Sequence, residues 1–254
     1  MRLNFTFLFL ALTITCLRAQ EFYELKKYTV ASAEQAARLD DYLQNAYIPA
    51  AKKAGVARVG VFKPIASDKD NYGKLVFVLT PYASLSLFER LPSILAKNRE
   101  YLAKGKDYID APYNNPPYQR IETTLLRAFP GSPRHSKPDL STPASERVYE
   151  LRSYEGPTEK LYLNKVAMFN EGGEIELFKR LGFNAMFYGE VLAGKDQPNL
   201  VYMTTFENMK SHDEHWEAFR NDPVWLKLKE DPKYQNNVSG RWTYLLSPTG
   251  YSEL

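Results

Sequence analysis

The chain has 254 residues, with 33 Lys and Arg against 30 Asp and Glu and a formal charge of +3. That balance leaves no basic excess for nucleic acid and no charged tail. The single cysteine, Cys16, rules out a disulfide frame and leaves the rest of the chain without a thiol nucleophile or thiolate metal ligand.

The chain opens on MRLNFTFLFLALTITCLRAQ, with Arg2 ahead of an apolar stretch from Phe5 to Leu17 and Leu-Arg-Ala at 17–19. This is the layout of a secretory signal peptide over residues 1–20, cut after 19 or 20, and it predicts an exported protein, periplasmic or secreted. The stretch is too short to span a bilayer comfortably and no second one follows, so no transmembrane segment is expected. Cys16 lies inside the signal, and Thr-Ile-Thr before it lacks the small residue a lipidated cysteine usually follows. Loss of Arg2 and Arg18 takes the formal charge to +1.

After the signal comes FYELKKYTV, which reads as a strand over about 22–30. A helix follows over 33–54, with Gly55 placed to end it. Strands at 56–64 and 74–81, a helix at 84–104 and a strand at 119–129 complete the first unit, residues 21–130. Its loop YIDAPYNNPPYQ, 108–119, is longer than a plain connection needs, which suggests a lid or a contact surface. GSPRHSKPDLSTPAS, 131–145, is rich in Pro and Ser without apolar periodicity and reads as a linker.

Beyond the linker the chain writes Tyr-Glu-Leu-basic-x-Tyr again, in VYELRSYEG at 148–156. The whole pattern repeats over 146–254: a strand at 147–155, a helix at 158–181 ended by Gly182, strands at 183–193 and 199–206, a helix at 208–229 and a strand at 239–247. Leu75-Val76-Phe77 corresponds to Leu200-Val201-Tyr202, and Thr123-Thr124-Leu125-Leu126 to Thr243-Tyr244-Leu245-Leu246. Each copy is β-α-β-β-α-β, the ferredoxin-like arrangement, with both helices on one face of an antiparallel sheet. The expected class is therefore α+β. Two tandem units would cover each other's bare sheet faces, packed sheet to sheet as an intramolecular barrel.

Alternation along the strands separates two sets of side chains. Tyr23 and Leu25, like Tyr149 and Leu151, suit packing beneath helices. Glu24, Lys26 and Tyr28, with Glu150, Arg152 and Tyr154, would then point at the opposing sheet and line one shared cavity, joined by Tyr188. A buried charge needs a partner, and Glu150 and Arg152 sit two apart on one face. The competing reading is an exposed strand whose charges face solvent and discourage strand pairing.

YELRSY at 149–154, LGFNAMFYGEV at 181–191, NLVYMTTFEN at 199–208 and HWEAFRNDPVWLKL at 215–228 together resemble the NIPSNAP family. YELKKY at 23–28 resembles a diverged second domain of that type, whose second helix, SLSLFERLPSILAKNREYL, lacks the tryptophans. The resemblance implies the dimeric α+β barrel superfamily and assigns no reaction. An export signal departs from the mitochondrial and vesicle-traffic setting of the animal members, so those roles do not carry over.

Of the three histidines, His135 lies in the linker, and His212 and His215 share one helical face. With Asp213 and Glu214 between them they resemble a metal pair without a third ligand, so solvated helix residues are expected and no metal. Trp216, Phe219 and Trp225 read as packing residues. No Gly-rich phosphate loop, nucleophile elbow or paired-cysteine motif appears, and no cofactor is expected. Barrel relatives include cofactor-free oxygenases and lactone isomerases, which hold a substrate in a water-poor cavity. By that analogy of fold a carboxylate such as Glu150 could serve as a base. Three functions stay open: an exported binder of a small organic ligand, a cofactor-free oxygenase or isomerase, and a non-catalytic module for a protein or glycan partner. Assembly as a homodimer is open as well.

Overall fold

The computed structural model describes residues 19–254; most of the expected export signal, with Cys16, lies outside them. The first unit runs β1 (Phe22–Thr29), α1 (Ala33–Tyr42), a π-helical turn (Leu43–Tyr47), α2 (Ile48–Lys53), β2 (Gly60–Pro64), β3 (Leu75–Tyr82), α3 (Leu85–Leu95), α4 (Arg99–Lys104), α5 (Lys106–Ile109) and β4 (Arg120–Ala128). The second runs β5 (Val148–Glu155), α6 (Glu159–Asn170), α7 (Glu174–Arg180), β6 (Phe187–Ala193), β7 (Asn199–Phe206), α8 (Met209–Asn221), α9 (Pro223–Glu230) and β8 (Gly240–Pro248). Equivalent helices begin on equivalent caps: Ser32 and Thr158 for α1 and α6, Ser84 and Asn208 for α3 and α8. In each, a side-chain oxygen accepts one of the free N–H groups of the first turn.

Both units order their strands in the ferredoxin-like way, and the two sheets join into one closed eight-stranded barrel, β1-β3-β2-β8-β5-β7-β6-β4. Face-to-face packing is thus only part of the contact. The sheet edges also pair, β2 with β8 and β4 with β6, which leaves no strand edge open. The C-terminus adds a clasp: Thr249 and Glu253 donate backbone N–H groups to Val61 and Val59 of the first unit, and Leu254 is buried in the barrel.

The barrel interior is apolar. Tyr23, Leu25, Phe62, Phe77 and Leu79 meet Tyr149, Leu151, Phe187, Met203 and Leu246 there. The expected strand faces are therefore inverted. Tyr23/Leu25 and Tyr149/Leu151 point into the barrel, and the Glu, basic and Tyr residues of both motifs point outward beneath the helices. The reason is solvation. The middle of a barrel with paired edges is sealed from water, so a carboxylate there would be stranded, and the charges on this face, Lys27 paired with Glu122, stand at a barrel mouth. The seam between sheet and helices has gaps that reach solvent.

Several long helices break where backbone chemistry demands. The helix expected over 158–181 splits at Gly172-Gly173, with Gly173 left-handed at φ 87°. The helix expected over 84–104 stops after Leu95 and restarts behind an Asn98 cap. Among the described residues no helix is long and apolar enough to cross a membrane.

Candidate functional site

β5 and α8 build a cleft of about 440 Å³ on the helix side of the second sheet. Strand alternation brings Glu150, Arg152 and Tyr154 to its floor. His212, Trp216, Phe219 and Arg220 come from one face of α8, at i, i+4, i+7 and i+8. Trp225 and Arg241 complete the walls.

Glu150 is the centre of this arrangement and is 3% exposed. Its Oε1 accepts from an Arg152 terminal nitrogen at 2.9 Å, and its Oε2 accepts from the Trp216 indole N–H at 2.6 Å. His212 Nε2 lies 3.4 Å from the same Oε2, an ion-pair contact without hydrogen-bond alignment. The Arg152 guanidinium also stacks over the Trp216 ring, 4.5 Å from its centroid. Burial works against a charged His212, but Glu150 and Asp213 outweigh it and hold the imidazole above the ordinary histidine range. Its Nδ1 is 2.8 Å from Asp213.

With donors on both oxygens, Glu150 acts as an anchor that fixes Arg152, Trp216 and His212. Those contacts suit it to holding the side chains around it in place. The positive charge it leaves unmatched sits at the mouth: Arg220 and Arg241 are exposed and pair with no carboxylate among the described residues.

The first unit carries a separate counterpart. Glu24 and Lys26 pair at 3.2 Å in a cleft of about 450 Å³, and the Tyr82 hydroxyl donates to Glu24 at 2.9 Å. The expectation of one shared cavity is thus corrected. Glu24 and Glu150 lie on opposite outer sides of the barrel, each under its own helices. Tyr28 belongs to neither cleft; it is buried against Tyr118 and accepts from the Tyr108 hydroxyl at 3.4 Å. Tyr188 lines a third hollow, about 360 Å³ between the 131–138 segment and α7, and its buried hydroxyl has no partner among the described residues. Between the sheets themselves there is a hollow of about 250 Å³ at one barrel mouth, lined by Leu25, Phe77, Trp242 and Tyr244 with the charged Lys27, Glu122, Lys195 and Asp196, rather than by the expected set.

His212 is corrected from a solvated helix residue to a member of the cleft, 12% exposed, and His215 packs edge-on against Phe183 and Phe206. Trp216 is likewise more than packing. The i, i+4 spacing of His212 and Trp216 was the available signal. The 108–119 loop touches the first-unit cleft only through Ile109 and then runs along α1, where Asn115 and Pro116 accept from Arg38 and Gln35, leaving Tyr113 97% exposed at its tip. No group of three or more His, Cys, Asp or Glu is placed to hold a metal among the described residues.

The repeated strand motif, the tryptophans of α8 and α9 and the ferredoxin-like order meet in one comparison: residues 149–253 match the NIPSNAP family model. The second unit is a NIPSNAP domain. The cleft around Glu150 lies wholly within that NIPSNAP domain, and the cleft around Glu24 lies outside it. Over the whole chain the fold is similar to a putative monooxygenase from Lactobacillus acidophilus NCFM, with a TM-score of 0.58, 10% identity and coverage of 90% of this chain and 94% of that one. A putative monooxygenase from Fusobacterium nucleatum subsp. nucleatum gives 0.57 at 9% identity, covering 91% and 93%. Identities this low establish a common barrel fold and carry no reaction across. A NIPSNAP family protein of unknown function from Agrobacterium tumefaciens str. C58 is 21% identical over 44% of this chain and 97% of its own, with a TM-score of 0.38. No curated protein matches the chain.

Proposed function

We propose that the cleft of the NIPSNAP domain binds a small organic acid with a flat, aromatic body. The observation that carries this is its charge. Arg152, Arg220, Arg241 and a readily protonated His212 face one glutamate, already bonded on each oxygen, and the rim carboxylate of Asp213. Trp216 and Trp225 supply flat walls for a ring, and a planar guanidinium suits a carboxylate. The volume falls within the roughly 300–1,000 Å³ of ligand sites. Of the charged groups in the cleft, His212 titrates nearest neutrality. The function proposed is binding. With Glu150 committed on both oxygens, the base role drawn from barrel analogy has no support at that residue. The layout of residues 1–20 supports the further proposal that this activity lies outside the cytoplasm, which fractionation of the native host would test.

Two of the three tryptophans line the cleft, so quenching of intrinsic fluorescence reports occupancy. 4-Hydroxybenzoate should quench saturably, and 4-hydroxybenzamide, its neutral isostere, should bind about tenfold more weakly. Arg220→Glu with Arg241→Glu should weaken the acid by at least that factor and leave the amide unchanged. Equal binding of acid and amide, or indifference to both charge reversals, would overturn the proposal.

A further inference from the structure

The first unit lies outside the NIPSNAP match, yet its cleft is as large as that of the second unit. Its chemistry is different. Lys26 and Glu24 cancel one another, and the one other charged lining residue is the exposed Glu89. No arginine lines it. The phenols around it are satisfied among themselves. Tyr82 serves Glu24, Tyr47 shares a hydrogen bond of 3.1 Å with Thr80, and Tyr42 shares one of 2.9 Å with Tyr101. Burial pushes the Tyr42, Tyr47 and Tyr82 hydroxyls well above the ordinary phenol range, so all three stay neutral. Leu91, Leu95 and Leu102 form the remaining wall and mouth.

Two backbone departures shape this space. Residues five apart on an α-helix point about 140° from each other. The π-helical turn at Leu43–Tyr47 widens the coil and brings Tyr42 and Tyr47 onto one wall, with ring centroids 6.2 Å apart. Opposite them Pro92 sits inside α3 and leaves the Phe88 carbonyl without its helical donor. Both Phe88 and Pro92 line the cleft. Departures of this kind are uncommon in element interiors, and here two of them open onto the same cavity.

Lys26 lines the cleft with 27% of its side chain exposed, and Glu24 is its one ion-pair partner among the described residues. An ammonium carries three donors, and Glu24 takes one. We propose that this cleft is a second binding site, for a neutral, mainly apolar molecule whose single hydrogen-bond acceptor, such as a ketone oxygen, seats on Lys26. An anion gains nothing where the local charge already sums to zero and Glu89 guards the mouth.

The neutral fluorophore N-phenyl-1-naphthylamine tests this on the full chain. Its emission should rise saturably, and 2-undecanone should displace it at concentrations about tenfold below those needed of undecanoate. 4-Hydroxybenzoate should not displace it, since that acid belongs to the other cleft. Ala96→Trp, at an exposed position on the cleft wall, should abolish the emission increase. Leu102→Trp at the mouth stands in if the first variant does not fold. Glu24→Gln with Lys26→Met should keep the fluorophore and weaken the ketone about tenfold, the loss of one charge-assisted hydrogen bond. The proposal is overturned if binding is not saturable, if it survives in a folded plugged variant, if undecanoate competes as well as the ketone, or if 4-hydroxybenzoate displaces the fluorophore. Failure here leaves the acid site untouched, because that site is read through tryptophans of the other unit.

Discussion

Replacing Arg152 by methionine keeps much of the side-chain volume and removes the cation that meets Glu150 at 2.9 Å. The carboxylate left behind has 4% of its side chain exposed. Breaking a buried ion pair from one side costs about 3–5 kcal/mol. Arg152 is itself 17% exposed, and Trp216 and His212 still serve the other oxygen, which brings the cost of the pair down to about 2–3 kcal/mol. Loss of the stack on Trp216 adds about 0.5–1 kcal/mol, for a total near 3 kcal/mol. At this chain length that corresponds to a fall in Tm of about 6–12 °C. Adding Glu150→Gln removes the stranded charge and should return about 1–2 kcal/mol. Urea denaturation of wild type, single and double variants reads all three values, with unchanged m marking a true stability difference. A single variant within about 0.5 kcal/mol of wild type, or a double variant no better than the single, would refute the buried-anchor reading of Glu150.

His212 is held above its ordinary value in the folded state, so its stabilising contribution is complete below about pH 6.5 and fades as pH climbs through the raised folded value. The Tm gap between wild type and His212→Gln should accordingly be widest near pH 5.5 and shrink toward about pH 8.5; a gap that grows with pH contradicts it. Lys165 and Glu174 form a deeply buried pair at 2.8 Å, with 6% and 2% of their side chains exposed. Lys165→Met should therefore cost about 3–5 kcal/mol in chemical denaturation, with partial recovery on adding Glu174→Gln. Gly182 sits at φ 76°, and a Cβ there would lie 3.1 Å from His215 Nε2. Gly182→Ala should lower stability by about 1–2 kcal/mol, and a denaturation midpoint equal to wild type would count against the strain.

The architecture was legible because it rests on local signals that repeat. Gly55 and Gly182 end equivalent helices at positive φ, at 104° and 76°, and the strand motif recurs at the same place in both units. Strand alternation put Glu150 beside Arg152 and Glu24 beside Lys26 on one face, and the structure pairs them within each strand. The direction of the face did not follow, because alternation separates two sets without saying which side is sealed. Tyr149 looks as suited to a helix layer as to a barrel. Closure of both sheet edges settles it, and edge pairing between β4 and β6 joins residues some sixty positions apart, beyond the reach of any local pattern. His212 and Trp216 were overlooked for a related reason. Their spacing showed a shared helical face, and only the docking of α8 over β5 shows that Glu150 lies beneath it.

A barrel assembled from two identical chains would receive every substitution twice, once on each side of its symmetry axis. Joining the halves in one polypeptide removes that constraint, so each half can take on a change that the other never sees. Matching positions already record such divergence. Thr80 and Thr204 stand opposite Glu24 and Glu150 in the same register, but Thr80 is bonded to Tyr47 while the Thr204 hydroxyl has no partner among the described residues. Tyr82 and Phe206 occupy the next matched pair on that face, and only the tyrosine reaches its glutamate. A single gene can in this way hold two clefts of different lining on one barrel, each inherited and altered on its own.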